Sequence, residues 1–230
     1  MMLWPWVLFA SLAALEIGLE SGSRRLGAVH VNAWLFSHRE HLPIPFLLLG
    51  IATLLCSPHP LSTARYAWLD GVGFTLILAG ESLRVWCVGI VGAATRSASI
   101  NAKRLIESGP YALTRNPIYL GNLLICLGIS SFAQSWAVTA ACLGYFVVVY
   151  RRIILAEERF LRATFGVSYE EFRQRVPRVL PRLRGWRQAL AAPFRVKELR
   201  KEYQTIAGIA CASIVIYALM THPQYTGRLP

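Results

Sequence analysis

The feature that most constrains this chain is an apolar run that extends from Pro117 to Tyr150. A helix needs about 20 largely apolar residues to cross a bilayer, so this run is too long for one crossing. Its polar break is the stretch SSFAQSW at 130–136. The run therefore predicts two membrane helices joined by a tight turn, which we call the 117–150 hairpin.

Four more stretches are apolar enough to predict membrane spans. They cover about Leu3–Leu19, Leu42–Cys56, Ala67–Gly92 and Tyr203–Met220. Hydrophobic residues make up 55% of the chain and charged residues only 16%, whereas soluble domains carry about 25% charged residues. The sequence thus predicts an all-α, polytopic membrane helical bundle of about six transmembrane helices.

The basic residues predict the topology of this bundle. If the N-terminus lies outside, the inner loops 20–41, 93–116 and 151–202 hold 21 of the 24 Lys and Arg residues. Because basic residues concentrate in cytoplasmic loops, we expect both termini outside. The net charge of +12 is then a topology signal, and we expect no nucleic-acid partner. Trp186 and Phe194 among basic residues predict a cytoplasmic interfacial helical segment.

The predicted organisation has three parts: N-terminal membrane helices over 1–66, a core over 67–185, and the interfacial segment with the last membrane helix over 186–230. The five cysteines lie in apolar segments without a CxxC pair, and His38 and His41 would need further ligands. We therefore expect no metal site.

The segment GPYALTRNPIYLGNLL, at 109–124, places a polar turn directly before the 117–150 hairpin. Gly109 and Pro110 predict a turn. Asn116 is predicted to cap the following helix with its side-chain oxygen. Pro117 suits the first helical position, where a missing N–H costs nothing.

A second polar cluster follows the hairpin in RRIILAEERFLRATFG, at 151–166. The second hairpin helix is predicted to leave the bilayer without a break and to end near Gly166. A tight hairpin should bring its far end back beside the first polar segment. We therefore expect one group of residues to face the other, Tyr111, Arg115, Asn116 and Tyr119 opposite Arg151, Arg152, Glu157 and Glu158.

Two charged residues, Glu81 and Arg84, lie away from both ends of the span predicted for 67–92. Glu81 and Arg84 are three residues apart and share a helical face, so they can pair. Charges within a membrane span are costly. The sequence leaves two interpretations open, a structural ion pair between helices or one wall of a site.

These motifs resemble the isoprenylcysteine carboxyl methyltransferase and phospholipid N-methyltransferase superfamily of integral-membrane enzymes. The first motif of that family is matched by Gly109, Tyr111, Arg115, Pro117, Tyr119 and Gly121. The acidic motif, at 157–169, is matched by Glu157, Glu158, Leu161, Phe165, Gly166 and Tyr169, with Val176 and Pro177 after it. LRVW at 83–86 is similar to a Leu-Arg-x-Trp upstream in bacterial members. The usual histidine of the first motif is Asn116 here, and an amide does not titrate near neutrality.

The resemblance implies S-adenosyl-L-methionine as the cofactor. Cofactor contacts are implied for Lys103, Arg104, Leu105, Ile106, Tyr111, Asn116, Pro117, Ile118, Tyr119 and Glu157. An acceptor contact is implied for Arg151 or Arg152, and Glu158 is a candidate base if the acceptor is an amine. The active site would face the cytoplasm. The acceptor would be lipid-like, either an isoprenylcysteine-type carboxylate or a phospholipid amine.

Two other functions remain open at this level. A sterol reductase that uses NADPH has a similar C-terminal hairpin, although Ile118 and Asn122 depart from its motif. A non-catalytic lipid-binding relative is the other alternative. The sequence does not fix the oligomeric state.

Overall fold

The computed structural model describes residue 14 and residues 67–92, 104–132, 135–182, 184–201 and 203–221. The predicted spans at Leu3–Leu19 and Leu42–Cys56 lie outside these residues, as does Lys103. The described part of the chain is helical and contains no strand.

Six α-helices and two short 3-10 helices make up the described structure. The α-helices are α1 (Ala67–Val91), α2 (Pro117–Ser131), α3 (Trp136–Phe165), α4 (Val167–Arg175), α5 (Trp186–Leu190) and α6 (Tyr203–Thr221). The 3-10 helices are Gly109–Ala112 and Val196–Lys201. All-helical architecture is confirmed for these residues.

The two helices predicted for 117–150 are confirmed, with α2 and α3 separated at the expected polar break, whereas a membrane crossing by α2 remains a prediction. α3 continues as one helix to Phe165 and ends at Gly166, whose φ of +52° favours a residue without a side chain. The predicted continuous helix that ends near Gly166 is therefore confirmed. α1 and α6 also match their predicted ranges closely.

Two of these helices are long and apolar enough to cross a membrane, over Trp68–Val91 and Trp136–Phe165. α2 is apolar but has only 15 residues. These helices support membrane association. The count of six spans and the inside–outside orientation remain predictions.

Glycines set the distance between α1 and α2, the most closely associated pair of helices. Gly80 and Gly121 face each other, as do Gly73 and Gly128, and the two positions on each helix are seven residues apart. A Cβ added at Gly80 would lie 2.6 Å from the carbonyl oxygen of Gly121, and one at Gly128 would lie 2.6 Å from that of Gly73. We call these four residues the glycine seam. Small residues let two helix backbones approach closely, which is a common way to pack helices in membranes.

The glycine seam predicts opposite effects for two similar substitutions in α1. Gly80→Ala should lower the free energy of unfolding by about 1–3 kcal/mol, because the added methyl group overpacks the contact with α2. Gly71→Ala is the matched control, since a Cβ there would have no atom within 4 Å and alanine favours the helix. Denaturant titration in detergent micelles would measure both. Equal effects of the two substitutions would contradict the glycine seam.

Candidate active site

A buried carboxylate lies where the two predicted motifs meet. Glu158 in α3 is 6% exposed, and Arg115 from the segment before α2 places Nη2 3.3 Å from its Oε1. Arg178 donates from Nη2 to Oε2 at 2.9 Å and from Nε to both oxygens at 3.1 Å. We call Arg115, Glu158 and Arg178 the ionic triad. The predicted meeting of the two motifs is confirmed by this contact.

The third member of the triad belongs to an extended segment that returns across the site after α4. This return segment, 176–182, runs beside residues 113–116 and exchanges backbone hydrogen bonds with them. The Arg115 amide donates to the Pro177 oxygen, and the Arg182 amide donates to the Leu113 oxygen, both at 2.9 Å. The buried Thr114 hydroxyl donates to the Val179 oxygen at 2.9 Å. Backbone, hydroxyl and ionic contacts together hold the return segment against the first motif.

Asn116 differs from its prediction. It does precede α2, and Pro117 does occupy the first helical turn, but the Asn116 side chain makes no capping hydrogen bond. Instead its Nδ2 donates to the Arg178 oxygen at 2.9 Å. The predicted capping role is therefore wrong. The physical reason is orientation, because the bond from Nδ2 to the return segment fixes the plane of the amide in a position where Oδ1 accepts no hydrogen bond from the helix.

The predicted turn at Gly109 and Pro110 is a 3-10 helix that presents Tyr111 to α1 and α3. Gly109 has φ +63° and packs against Ile90, which explains glycine there. Burial raises the pKa of Tyr111 well above its usual value, and the nearby Cys87 and Glu157 raise it further. Tyr111 is consequently a neutral phenol at physiological pH, close to the carboxylate of Glu157.

A second polar contact lies deeper along the three core helices. Arg84 Nη1 in α1 donates to Oδ1 of Asn122 in α2. Asn122 Nδ2 in turn donates to the hydroxyl of Tyr150 in α3 at 3.5 Å. The ring of Tyr119 packs edge-on against Tyr150, with centroids 5.4 Å apart. We call Arg84, Asn122 and Tyr150 the deep polar contact.

The depth of this contact follows from helix geometry. Arg84 is three residues before Cys87, so it lies on nearly the same face of α1 and about one turn further from the helix end. Cys87 is the α1 residue beside Tyr111. The deep polar contact is therefore one helical turn below Tyr111, on the side away from the return segment. No hydrogen bond between Glu81 and Arg84 is described, so their pairing stays a prediction.

The other predicted site residues occupy varied environments. Leu105 packs against the cluster of Tyr169, Phe172 and Val176, and Ile118 packs against the core around Tyr150. Pro117 is buried, whereas Ile106, Glu157 and Arg152 are half-buried and Arg104 and Arg151 are exposed. The structure therefore places Leu105 and Ile118 in two different clusters, and the roles of all these residues remain predictions.

Sequence reasoning missed Arg178, Thr114 and Tyr150. Arg178 directly follows the Val-Pro that ends the second motif, and this position is the one signal that pointed to it. Thr114 lies between Tyr111 and Arg115 without any distinguishing pattern. Tyr150 ends the apolar run and looks like an interfacial aromatic residue.

Comparison with known proteins bears on the whole arrangement. Residues 69–168, which include α1, both motifs and the hairpin, match the family described as phospholipid methyltransferase. Several plant and animal proteins named protein-S-isoprenylcysteine O-methyltransferase are similar over about half of the chain. The matched part of the chain is thus similar to the isoprenylcysteine and phospholipid methyltransferases of membranes.

The individual relatives carry different names. The chain is 31% identical over 124 residues to protein-S-isoprenylcysteine O-methyltransferase B of Arabidopsis thaliana, which covers 51% of the chain and 61% of that protein. It is 35% identical over 120 residues to a cobalt-zinc-cadmium resistance protein of Cupriavidus metallidurans, and this match covers 50% of the chain and 52% of that protein. It is 38% identical over 93 residues to methanethiol S-methyltransferase 2 of Bradyrhizobium diazoefficiens, and this match covers 39% of the chain and 34% of that protein.

The matches span about half the length of the curated relatives. No solved structure matches the chain. The family and the named methyltransferases do not favour the alternative of a sterol reductase that uses NADPH.

The ionic triad predicts a large loss of stability when its carboxylate is neutralised. Glu158→Gln should lower the free energy of unfolding by about 3–5 kcal/mol, because Arg115 would remain buried without its counter-charge. Arg178→Gln should cost less, since the Arg178 side chain is 49% exposed and that of Arg115 only 8%.

Denaturant titration of the detergent-solubilised protein would measure these changes, with Glu171→Gln as an exposed control on the neighbouring helix. The control should change stability by less than about 0.5 kcal/mol. A Glu158→Gln protein as stable as the control would show that the triad does not hold the site together.

Proposed function

We propose that the chain is a methyltransferase that uses S-adenosyl-L-methionine and methylates a lipid-like acceptor at the membrane interface. The main observation behind this proposal is the ionic triad, which joins the two motifs and the return segment. Tyr111 and Glu157 lie close to each other in the same two motifs. Similarity to the phospholipid methyltransferase family and to named methyltransferases supports the reaction type. The activity of the whole protein, its acceptor and its cofactor are proposals.

Buried donors at the triad test whether this cofactor fits. Arg115 and the Tyr169 hydroxyl are buried side by side and interact with each other, but Nε and Nη1 of Arg115 and the Tyr169 hydroxyl lack a well-formed hydrogen bond within the described part of the chain. Burial and Glu158 raise the pKa of Tyr169, while the nearby Arg115 lowers it. Because buried polar groups are normally bonded, a ligand with an anionic acceptor group is expected here. The cofactor carries such a group in its amino-acid carboxylate.

The other side of the site suits a cation. When bound, S-adenosyl-L-methionine supplies a methyl group activated on a positively charged sulfur. Neutral Tyr111 and the ring of Tyr119 can attract a cation through their faces, by about 0.5–2 kcal/mol. Half-buried Glu157 can bind an ammonium group or ribose hydroxyls. The return segment covers the first motif and so helps to exclude water.

The deep polar contact supports a carboxylate as the acceptor. A guanidinium inside an apolar helix is costly unless it serves a partner or a site. Arg84 can hold a carboxylate by two parallel hydrogen bonds, and Asn122 fixes the orientation of Arg84. An isoprenylcysteine-type carboxylate would then lie one turn below Tyr111, with its lipid tail between the helices. A phospholipid amine is the second acceptor to be tested.

The environment of Glu158 disfavours its role as a base for an amine. Both of its oxygens accept hydrogen bonds or charge contacts from Arg115 and Arg178. A carboxylate whose two oxygens are both occupied in this way positions the motifs and presents neither oxygen to an acceptor amine. This geometry also favours the carboxylate acceptor over the amine.

The decisive experiment is a transfer assay with a deuterated-methyl donor. Purified protein in lipid nanodiscs would be incubated with the labelled cofactor and either N-acetyl-S-farnesyl-cysteine or phosphatidylethanolamine. Mass spectrometry should find the label in a methyl ester of the prenylcysteine. Label in the amine instead would select the second acceptor. Absence of transfer to both probes, together with absence of calorimetric binding of the cofactor, would contradict the proposed function.

Glu157 provides a prediction for cofactor binding. Glu157→Ala should weaken cofactor affinity by about tenfold or more, because a charge-assisted hydrogen bond contributes about 1.5–3 kcal/mol. Isothermal titration calorimetry would measure the affinity, and Glu171→Ala is the exposed control. Unfolding curves should overlay for both variants. Unchanged affinity in Glu157→Ala would remove that residue from the site.

Three arginines give a prediction for acceptor binding. Arg84→Gln should raise the KM for the prenylcysteine about tenfold or more and leave cofactor affinity unchanged, because it removes the partner of the acceptor carboxylate. Arg151→Gln and Arg152→Gln are the comparison, since the resemblance implied one of them instead. Steady-state kinetics would decide among the three positions. A KM effect confined to Arg152→Gln or Arg151→Gln would exclude Arg84 as the acceptor residue.

A further inference from the structure

The segment from Leu180 to Arg200 combines exposed apolar and exposed basic side chains. Its exposed large apolar residues are Leu180, Trp186, Leu190, Phe194 and Val196. Its six basic residues, all exposed, are Arg182, Arg184, Arg187, Arg195, Lys197 and Arg200. Glu198 is its single acidic residue. We call residues 180–200 the basic apron.

The basic apron is fixed to the end of α1. The Arg195 amide donates to the Gly89 oxygen at 2.9 Å, in the last turn of that helix. The ring of Phe194 lies directly against Gly89, where any side chain would collide with it. The side chain of Glu198 lies beside Gly92, whose φ is +75°. These contacts hold the apron in one position relative to the helix end.

This position defines a height in the membrane. α1 is a candidate membrane span, so its end at Val91 lies near the boundary between hydrocarbon and headgroups. The apron crosses that end, and Trp186 and Phe194 are therefore at the level where amphipathic aromatic residues collect. Apolar side chains at this level can enter the acyl boundary, while arginines beside them reach the headgroups.

The charge balance selects the kind of lipid. Six basic residues against one acidic residue would be attracted to a negatively charged surface and gain nothing from zwitterionic headgroups. Arg187 lies over the ring of Trp186 with 5.7 Å between its guanidinium carbon and the ring centroid, so one charge accompanies the aromatic residue. We infer that the basic apron is a binding surface for anionic phospholipids of the leaflet on the side of the active site.

This surface also adjoins the site. α5 packs against the 3-10 helix at 109–112, which carries Tyr111, and Ala189 is completely buried there. The inference does not depend on methyl transfer, because the contacts of the apron are with α1 and that 3-10 helix.

Tryptophan quenching would test the inference in bilayers of one composition. Full-length protein would be placed in nanodiscs of phosphatidylcholine and phosphatidylglycerol, with bromine on the acyl chains of either one lipid or the other. The contribution of Trp186 is the difference between the parent protein and Trp186→Phe. We expect brominated phosphatidylglycerol to quench this contribution severalfold more than brominated phosphatidylcholine, after correction for lipid abundance.

Two matched double variants separate recognition from general charge. Arg184→Gln with Arg187→Gln should abolish the preference for phosphatidylglycerol. Arg159→Gln with Arg162→Gln removes the same charge from the exposed outer end of α3 and should keep the preference. Size-exclusion profiles and unfolding curves would establish that all variants are folded.

Three results would overturn the inference. Absence of quenching at Trp186 by either lipid would mean that another part of the chain or another protein covers the apron. Equal quenching by both lipids would leave an apolar contact without charge recognition. Equal loss of preference in the two double variants would assign the effect to net charge alone. None of these results depends on cofactor or acceptor, so the proposed function would stand or fall separately.

Discussion

One buried carboxylate organises the end of this helical core at which the two motifs meet. Glu158 is held by arginines from two segments that are distant in sequence, Arg115 before α2 and Arg178 after α4. A buried ion pair of this kind contributes little net stability compared with apolar packing, but it is costly to break. The ion pair therefore selects one arrangement of the two segments and adds little to overall stability. The ion pairs fix the position of the return segment, and in that position the segment covers residues 113–116 of the first motif.

The glycine seam performs a comparable role inside the membrane part. With Gly80 against Gly121 and Gly73 against Gly128, α1 and α2 approach until their backbones touch. This approach brings Arg84 to Asn122, because the stem of Arg84 lies against Gly121, where a Cβ would come within 2.9 Å of its Cγ. The close packing of α1 and α2 and the position of the Arg84 guanidinium thus depend on the same glycine contact. A larger residue at Gly121 would disturb both.

The sequence predicted those features that depend on length and local chemistry. The hairpin follows from an apolar run too long for one crossing, and the end of α3 follows from Gly166. The contact of Arg115 with Glu158 follows from the return of the hairpin. The seam could not be predicted, because a glycine becomes a contact only when its partner helix is known. The capping role of Asn116 was wrong because the carbonyl that orients its amide belongs to Arg178, 62 residues later in the sequence.

α3 connects depth in the lipid with position at the site. Its 30 residues give a rod about 45 Å long, whereas the hydrocarbon layer is about 30 Å thick. Because α3 has no break before Gly166, the height of Glu157 and Glu158 above the hydrocarbon layer depends on how deeply the N-terminal part of α3 is inserted. A thicker bilayer must tilt the rod less or bury more of it. The distance between the proposed site and the headgroup of a lipid acceptor would consequently vary with the thickness of the membrane.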